Sequence, residues 1–213
     1  MSKNRDAGRL ILEELPMFNE AARLFENEIQ PDIQDAFNDT VKEWAIQHNW
    51  SSNVEWDWTP DSKTSLWLAP PGWSFKDQDG DDDANPCFWF GWSNRIGSEN
   101  YHLVDLCGLS TDGMAFWFWL DPKAFSGVRA LKSAVKPLVA EYEKRLAQLG
   151  FVVDDVNFYL PVRLDPAKLA DAWGDDAYDE LFAPLKDALD KLKEAQPMFN
   201  ELVAKIPGRK TMA

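Results

Sequence analysis

Residues 116–120 read FWFWL, and a strand with one face in water cannot carry that string. Successive side chains of a strand point to opposite faces. Phe116 and Phe118 therefore share one face, and Trp117 and Trp119 the other. Both faces need cover, which makes this a central strand with helices over one side and chain over the other. The string CFWFGW at 87–92 makes a similar demand, with Gly91 marking a bulge or a close approach. These rings read as core rather than as a platform for bases, because such a platform needs rings exposed among basic residues and the neighbours here are Asp112 and Asp121.

The rest of the chain is organised around that strand. Pro16 and Pro31 each fit the first position of a helix. In the second of these helices Ile33, Phe37, Val41, Trp44, Ala45 and His48 recur at three and four, making one apolar stripe. Asp32, Asp35, Asp39 and Glu43 fall away from the stripe, and Asp32 and Asp35 suit the positive end of the helix dipole. The period changes to two at NVEWDWTP, where Val54, Trp56 and Trp58 alternate with Glu55 and Asp57. SLWLAPPGW, CFWFGWS, YHLVDLCG and GMAFWFWL read as further strands, and DQDGDDDANP at 77–86 as a solvated loop. With no helix between them, the strands should form an antiparallel meander.

A helical region follows Pro122, with Pro137 expected to kink or divide it. FVVDDVNFYLPV is expected as one more strand, and the remainder as helices with Leu181, Leu185, Leu189 and Leu192 as an inward stripe. The string PMFNE occurs twice, at 16–20 and 197–201; both copies should open a helix and pack methionine and phenylalanine inward. The expected fold is α+β, a single domain over residues 1–213. A helical part to about residue 50 precedes a five- to six-stranded antiparallel sheet with its long or broken helix and one further strand, to about residue 160. C-terminal helices complete it.

Of the 213 residues, 45% are hydrophobic and 27% charged, which are globular values. No apolar run approaches a membrane span, and the N-terminal apolar run LIL is too brief for a signal peptide, so a cytoplasmic protein of a bacterium or its virus is expected. Cys87 and Cys107 are expected as buried thiols. They show no metal-ligand spacing, so no cofactor is expected.

The net charge of −14 is uneven: −7 over residues 1–60, −7 over 61–121, +4 over 122–150 and −4 over 151–213. Such a field repels nucleic acid and anionic membrane and favours a basic partner. Chemical motifs fail in turn. GLSTDG at 108–113 misses the nucleophile elbow by one residue, which leaves Ser110 without a role. His48 and His102 have no patterned partner. In DQDGDDD, placing Gly80 at the turn would make Phe75 and Pro86 the terminal ligands, which rules out an EF-hand.

The leading expectation is a non-enzymatic, acidic, tryptophan-bearing inhibitor or binding protein. It would occupy a basic surface of another protein, such as one that binds nucleic acid, in the manner of DNA mimics, anti-restriction or anti-CRISPR proteins and immunity proteins. Its expected binding residues are Asp32, Asp35, Asp39, Glu43, Glu55, Trp56, Asp57, Trp58, Trp73, Asp77, Asp79, Asp81, Asp82 and Asp83. The competing reading is a metal-dependent nuclease or a relic of one, using Asp61, Asp121 and Lys123, because Pro60-Asp61 and Asp121-Pro122-Lys123 spell the two halves of the PD-(D/E)XK motif. A third reading is a dimeric structural protein.

Overall fold

The computed structural model describes residues 3–54, 66–76, 82–93, 100–111, 113–175 and 177–207. Helices α1 (Lys3–Glu13), α2 (Leu15–Leu24) and α3 (Gln30–Gln47) come first, with a π-turn at Phe25–Ile29 between the last two. Eight strands follow among the described residues: β1 (Ser51–Val54), β2 (Leu66–Ala69), β3 (Ser74–Lys76), β4 (Asp82–Ala84), β5 (Cys87–Trp92), β6 (Met114–Trp119), β7 (Val152–Asp154) and β8 (Asn157–Val162). The short helix α4 (His102–Leu106) precedes β6. A 3-10 turn (Pro122–Phe125) and α5 (Val128–Ala147) separate β6 from β7, and α6 (Pro166–Asp175) and α7 (Ala183–Lys205) close the chain. The fold is α+β.

Six strands form one sheet in the order β1-β2-β5-β6-β8-β7, every neighbouring pair antiparallel, and β3 pairs with β4 in a separate hairpin. Register explains the aromatic strings. Leu66, Phe90, Phe116 and Leu160 lie directly opposite one another across four strands, as do Leu68, Phe88 and Phe118 across three. This face packs against helices: Phe37 of α3 meets Phe90 at 5.3 Å, and Phe199 of α7 meets Phe118 at 4.3 Å and Phe88 at 5.3 Å. Trp67, Trp89, Trp117 and Tyr159 make the matching row on the other face. Trp117 is fully buried there and donates its indole N–H to the Trp92 carbonyl at 3.0 Å. The double cover expected for β6 is present except at its end, where Trp119 is 38% exposed. Gly91 is a close approach: a Cβ there would sit 2.3 Å from the Trp89 ring.

The α3 stripe is as expected, with Ile33, Phe37, Val41, Trp44 and Ala45 buried. His48 caps its end, its Nδ1 2.9 Å from the Trp44 carbonyl. The π-turn sets the phase upstream. Phe25 and Ile33 are eight residues apart, roughly 80° out of line in a plain α-helix. One extra residue absorbed in the turn, closed by the Gln30 N–H to the Phe25 carbonyl, restores the alignment.

Five expectations are corrected. YHLVDLCG is not a strand: His102–Leu106 is a helix whose buried residues are His102, Leu103, Asp105 and Leu106. FVVDDVNFYLPV is two strands, because Asp155 takes a positive φ of 53° and turns the chain. Of the two outcomes expected at Pro137, division is overturned: it lies inside a single α5, as Pro197 does inside a single α7. Within the acidic loop, Asp82–Ala84 is a strand. The two PMFNE copies differ: Pro16 opens α2, but Met17 and Phe18 are 62% and 48% exposed, whereas Phe199 is fully buried in mid-helix. Cys87 and Cys107 are both buried thiols, not joined in a disulfide.

Candidate functional site

Four of the expected binding residues stand together. Asp32, Asp35, Asp39 and Glu43 are all exposed on α3. At 100° per residue they fall within an arc of roughly 80°, and they span about 16 Å along the axis. The apolar stripe forces this placement: with Ile33, Phe37, Val41 and Trp44 fixed on the sheet, these carboxylates can only point outward. No ion pair joins any of the four to another described residue. The contrast with other acids is sharp: Asp155, Glu201, Asp179 and Asp187 pair with Lys132, Arg145, Lys186 and Lys191 at 2.7–3.0 Å, and Glu141 pairs with Lys205. The ridge is longer than the screening distance at physiological salt, about 8 Å, so it acts as a line of charge rather than a point. At its end the helix presents Ile46, 71% exposed. Sequence reasoning misses Ile46, although its three-residue step from Glu43 places it on the same side.

The remaining expected residues divide into three groups. Glu55, Trp56, Asp57, Trp58, Asp77, Asp79 and Asp81 lie outside the described residues, as does Asp61. Asp82 and Asp83 sit on β4, opposite Lys76 and Phe75 in the hairpin. Trp73 is buried, 6% exposed, and donates its indole N–H to Asn200 Oδ1 at 2.8 Å. Trp67 is 9% exposed. Neither indole is available to a partner in this conformation.

Other chemistry is spent on structure. Asp121 accepts the Lys123 backbone N–H at 2.8 Å and caps the 3-10 turn, while its own N–H donates to Asn85 Oδ1. Ser110 donates its hydroxyl to the buried Asp105 carboxylate at 2.5 Å, alongside the Trp92 indole N–H at 2.9 Å and the Asn100 amide at 3.3 Å. That carboxylate is a hub joining β5, α4 and the turn after it. Burial raises the Cys107 thiol above its ordinary range. An apolar cleft of about 110 Å³ opens between Trp119, Val128, Leu131 and Phe158. Lys132 at its rim pairs with Asp155, whose carboxyl is held below the usual range by that hydrogen bond. Among the described residues no group of three or more His, Cys, Asp or Glu could hold a metal ion. No described helix is long and apolar enough to cross a membrane.

A scan against protein-family models found no match, and searches of curated proteins and of solved structures found none either.

Proposed function

We propose that the chain is a non-enzymatic binding protein whose α3 ridge occupies a basic surface of a partner protein, such as a surface that otherwise holds nucleic-acid phosphates. The observation that supports this most is the row of Asp32, Asp35, Asp39 and Glu43, exposed and without an ion pair to another described residue, on a helix whose other face is locked into the core. A rigid line of carboxylates steers a cationic surface into register and speeds its encounter. Ile46 gives the ridge an apolar end, where a partner could gain contact that salt does not weaken.

The test compares the intact protein with the quadruple variant D32N/D35N/D39N/E43Q. Both are used to capture basic proteins from a lysate at low and high salt, and each captured protein is then purified for binding kinetics. A partner held by this ridge is lost at high salt, and its association rate falls roughly tenfold or more on neutralisation. Thermal melting should not fall, because these side chains are exposed, and the loss of like charges three and four residues apart should raise it slightly. A partner that binds both forms equally, or the absence of any salt-sensitive basic partner, would overturn the reading.

A further inference from the structure

Helices α1 and α2 carry exposed apolar residues that the body leaves bare: Ile11, Leu15 and Phe18 share one face, and Leu10, Leu12 and Met17 flank it on both sides. Between Arg5 and Leu24 every residue is exposed except Gly8 and Ala22, which are half-buried. Leu10, Leu12, Leu15 and Met17 are 52–72% exposed, and Phe18 is 48%. Isolated exposed apolar residues are ordinary; a helical run of them marks an interaction face.

The spacing says what kind. Ile11, Leu15, Phe18, Ala22, Phe25 and Ile29 are separated by four, three, four, three and four residues. That alternation is the seam of a coiled coil, whose complement is another helix with the same repeat. Phe25 and Ile29 already pack partly on the body, Phe25 against the Tyr101 ring at 4.8 Å. The seam therefore begins at the body and runs out along α2, with Leu15 and Phe18 uncovered. It continues to Ile11 on α1 across the break at Glu14, which is spanned by hydrogen bonds from the Glu14 N–H to the Leu10 carbonyl and from the Phe18 N–H to the Glu14 carbonyl.

The charges choose the partner. Residues 3–9 carry Lys3, Arg5 and Arg9 against Asp6, whereas residues 13–28 carry Glu13, Glu14, Glu20, Glu26 and Glu28 against Arg23. Laid side by side in the same direction, two such arms set like charges together and bring two acidic bodies into contact. Laid in opposite directions, they match basic end to acidic stretch and hold the bodies apart. We infer that the arm Lys3–Ile29 pairs antiparallel with the same arm of a second copy of this chain.

Seam alternation limits the register to steps of seven residues, and we take the step that sets the exposed Leu15 and Phe18 against each other. Leu15 packs against Phe18 of the partner, Ile11 against the partner's Ala22, and Gly8 against the partner's Phe25. Gly8 suits that last layer because nothing lies within 4 Å of where its Cβ would be, which leaves room for a phenylalanine ring already held at the body. In this register Arg5 flanks the seam opposite Glu26 of the second copy. The Tyr101 hydroxyl holds that carboxylate in place by donating to its Oε1 at 2.8 Å. This inference is independent of the α3 ridge, which lies on a different face of the helical run.

The test uses the full chain in sedimentation equilibrium and light scattering. The expected mass is that of a dimer. The variant L15E/F18E should raise the dissociation constant roughly a hundredfold or more, with near-unchanged circular dichroism, since neither side chain supports the core. R5E should weaken pairing, and R5E/E26K should recover it. Direction is read by cross-linking. L15C mixed with F18C should form a disulfide between the two variants, and neither alone should link to itself. Self-linking of L15C or F18C would replace the antiparallel arrangement with a parallel one and overturn the register. A monomer at the highest soluble concentration would overturn the proposal outright, as would an arm that binds anionic lipid vesicles while the protein stays monomeric.

Discussion

The string PMFNE is written twice, and the two copies lead opposite lives. At 197–201, Phe199 is fully buried at the centre of a ring cluster, with its centroid 4.3 Å from Phe118, 5.4 Å from Phe151 and 5.9 Å from Phe158. Asn200 accepts the Trp73 indole N–H at 2.8 Å, and Glu201 pairs with Arg145 at 3.0 Å. At 16–20 the corresponding Phe18 is 48% exposed, and Asn19 and Glu20 point to solvent. Both strings are helical. What differs is whether a sheet stands opposite. An apolar helical face states a demand for cover, and only the rest of the molecule decides whether this chain or another meets it.

Matched substitutions at the two copies test this, beginning with the largest contrast. Met17→Cys should react with a thiol reagent at the rate of a free cysteine, whereas Cys87 and Cys107, sealed in the body, should react only through opening, slower by about a thousandfold or more. Reaction of the two native thiols before the introduced one would break the comparison. Phe199→Ala should cost about 3–5 kcal/mol in denaturant unfolding, while Phe18→Ala in dilute protein should stay within about 0.5 kcal/mol of the parent. Asn200→Ala removes the acceptor of a buried indole and should cost about 1 kcal/mol, since Asn200 itself is exposed and water can partly replace it. Asn19→Ala should cost nothing measurable.

The smallest effect is electrostatic. The hydrogen bond from Arg145 holds the Glu201 carboxyl below its ordinary range. A depressed folded value means that the contribution is present above the usual glutamate range and is lost as pH falls through the folded value. Thermal melts of Glu201→Gln and the parent should therefore differ slightly near neutrality and converge in acid, with the difference shrinking in salt. Glu20→Gln should track the parent at every pH.

The parts of the fold that can be read in the sequence are those where period and length agree. The α3 stripe repeats through five buried positions, and the two-sided aromatic content of β6 leaves it no edge of the sheet to occupy. Pattern misreads His102–Leu106 because five residues are too few to separate a period of two from one of 3.6. It misses the hairpin at 152–162 because the turn is made by Asp155 at a positive φ, which aspartate tolerates without a glycine to announce it. Pro137 and Pro197 look like breaks, yet each sits inside a helix packed against the rest of the body. The acidic ridge is legible as the complement of the α3 stripe. The fate of Trp73 is not, because Asn200 lies 127 residues away. The bare arm is not legible either, since its pattern of apolar residues resembles one that is buried.

The π-turn at Phe25–Ile29 gives the arm and the body an unusual tolerance of changes in chain length. It already holds one residue more than an α-helix needs, so removal of Asn27 would let it relax to ordinary α-helix with Phe18 and Phe37 still on their present sides. The same deletion in the middle of α2 or α3 has no slack to draw on. It would turn everything upstream by about 100° and aim the arm's apolar face away from any partner it now meets.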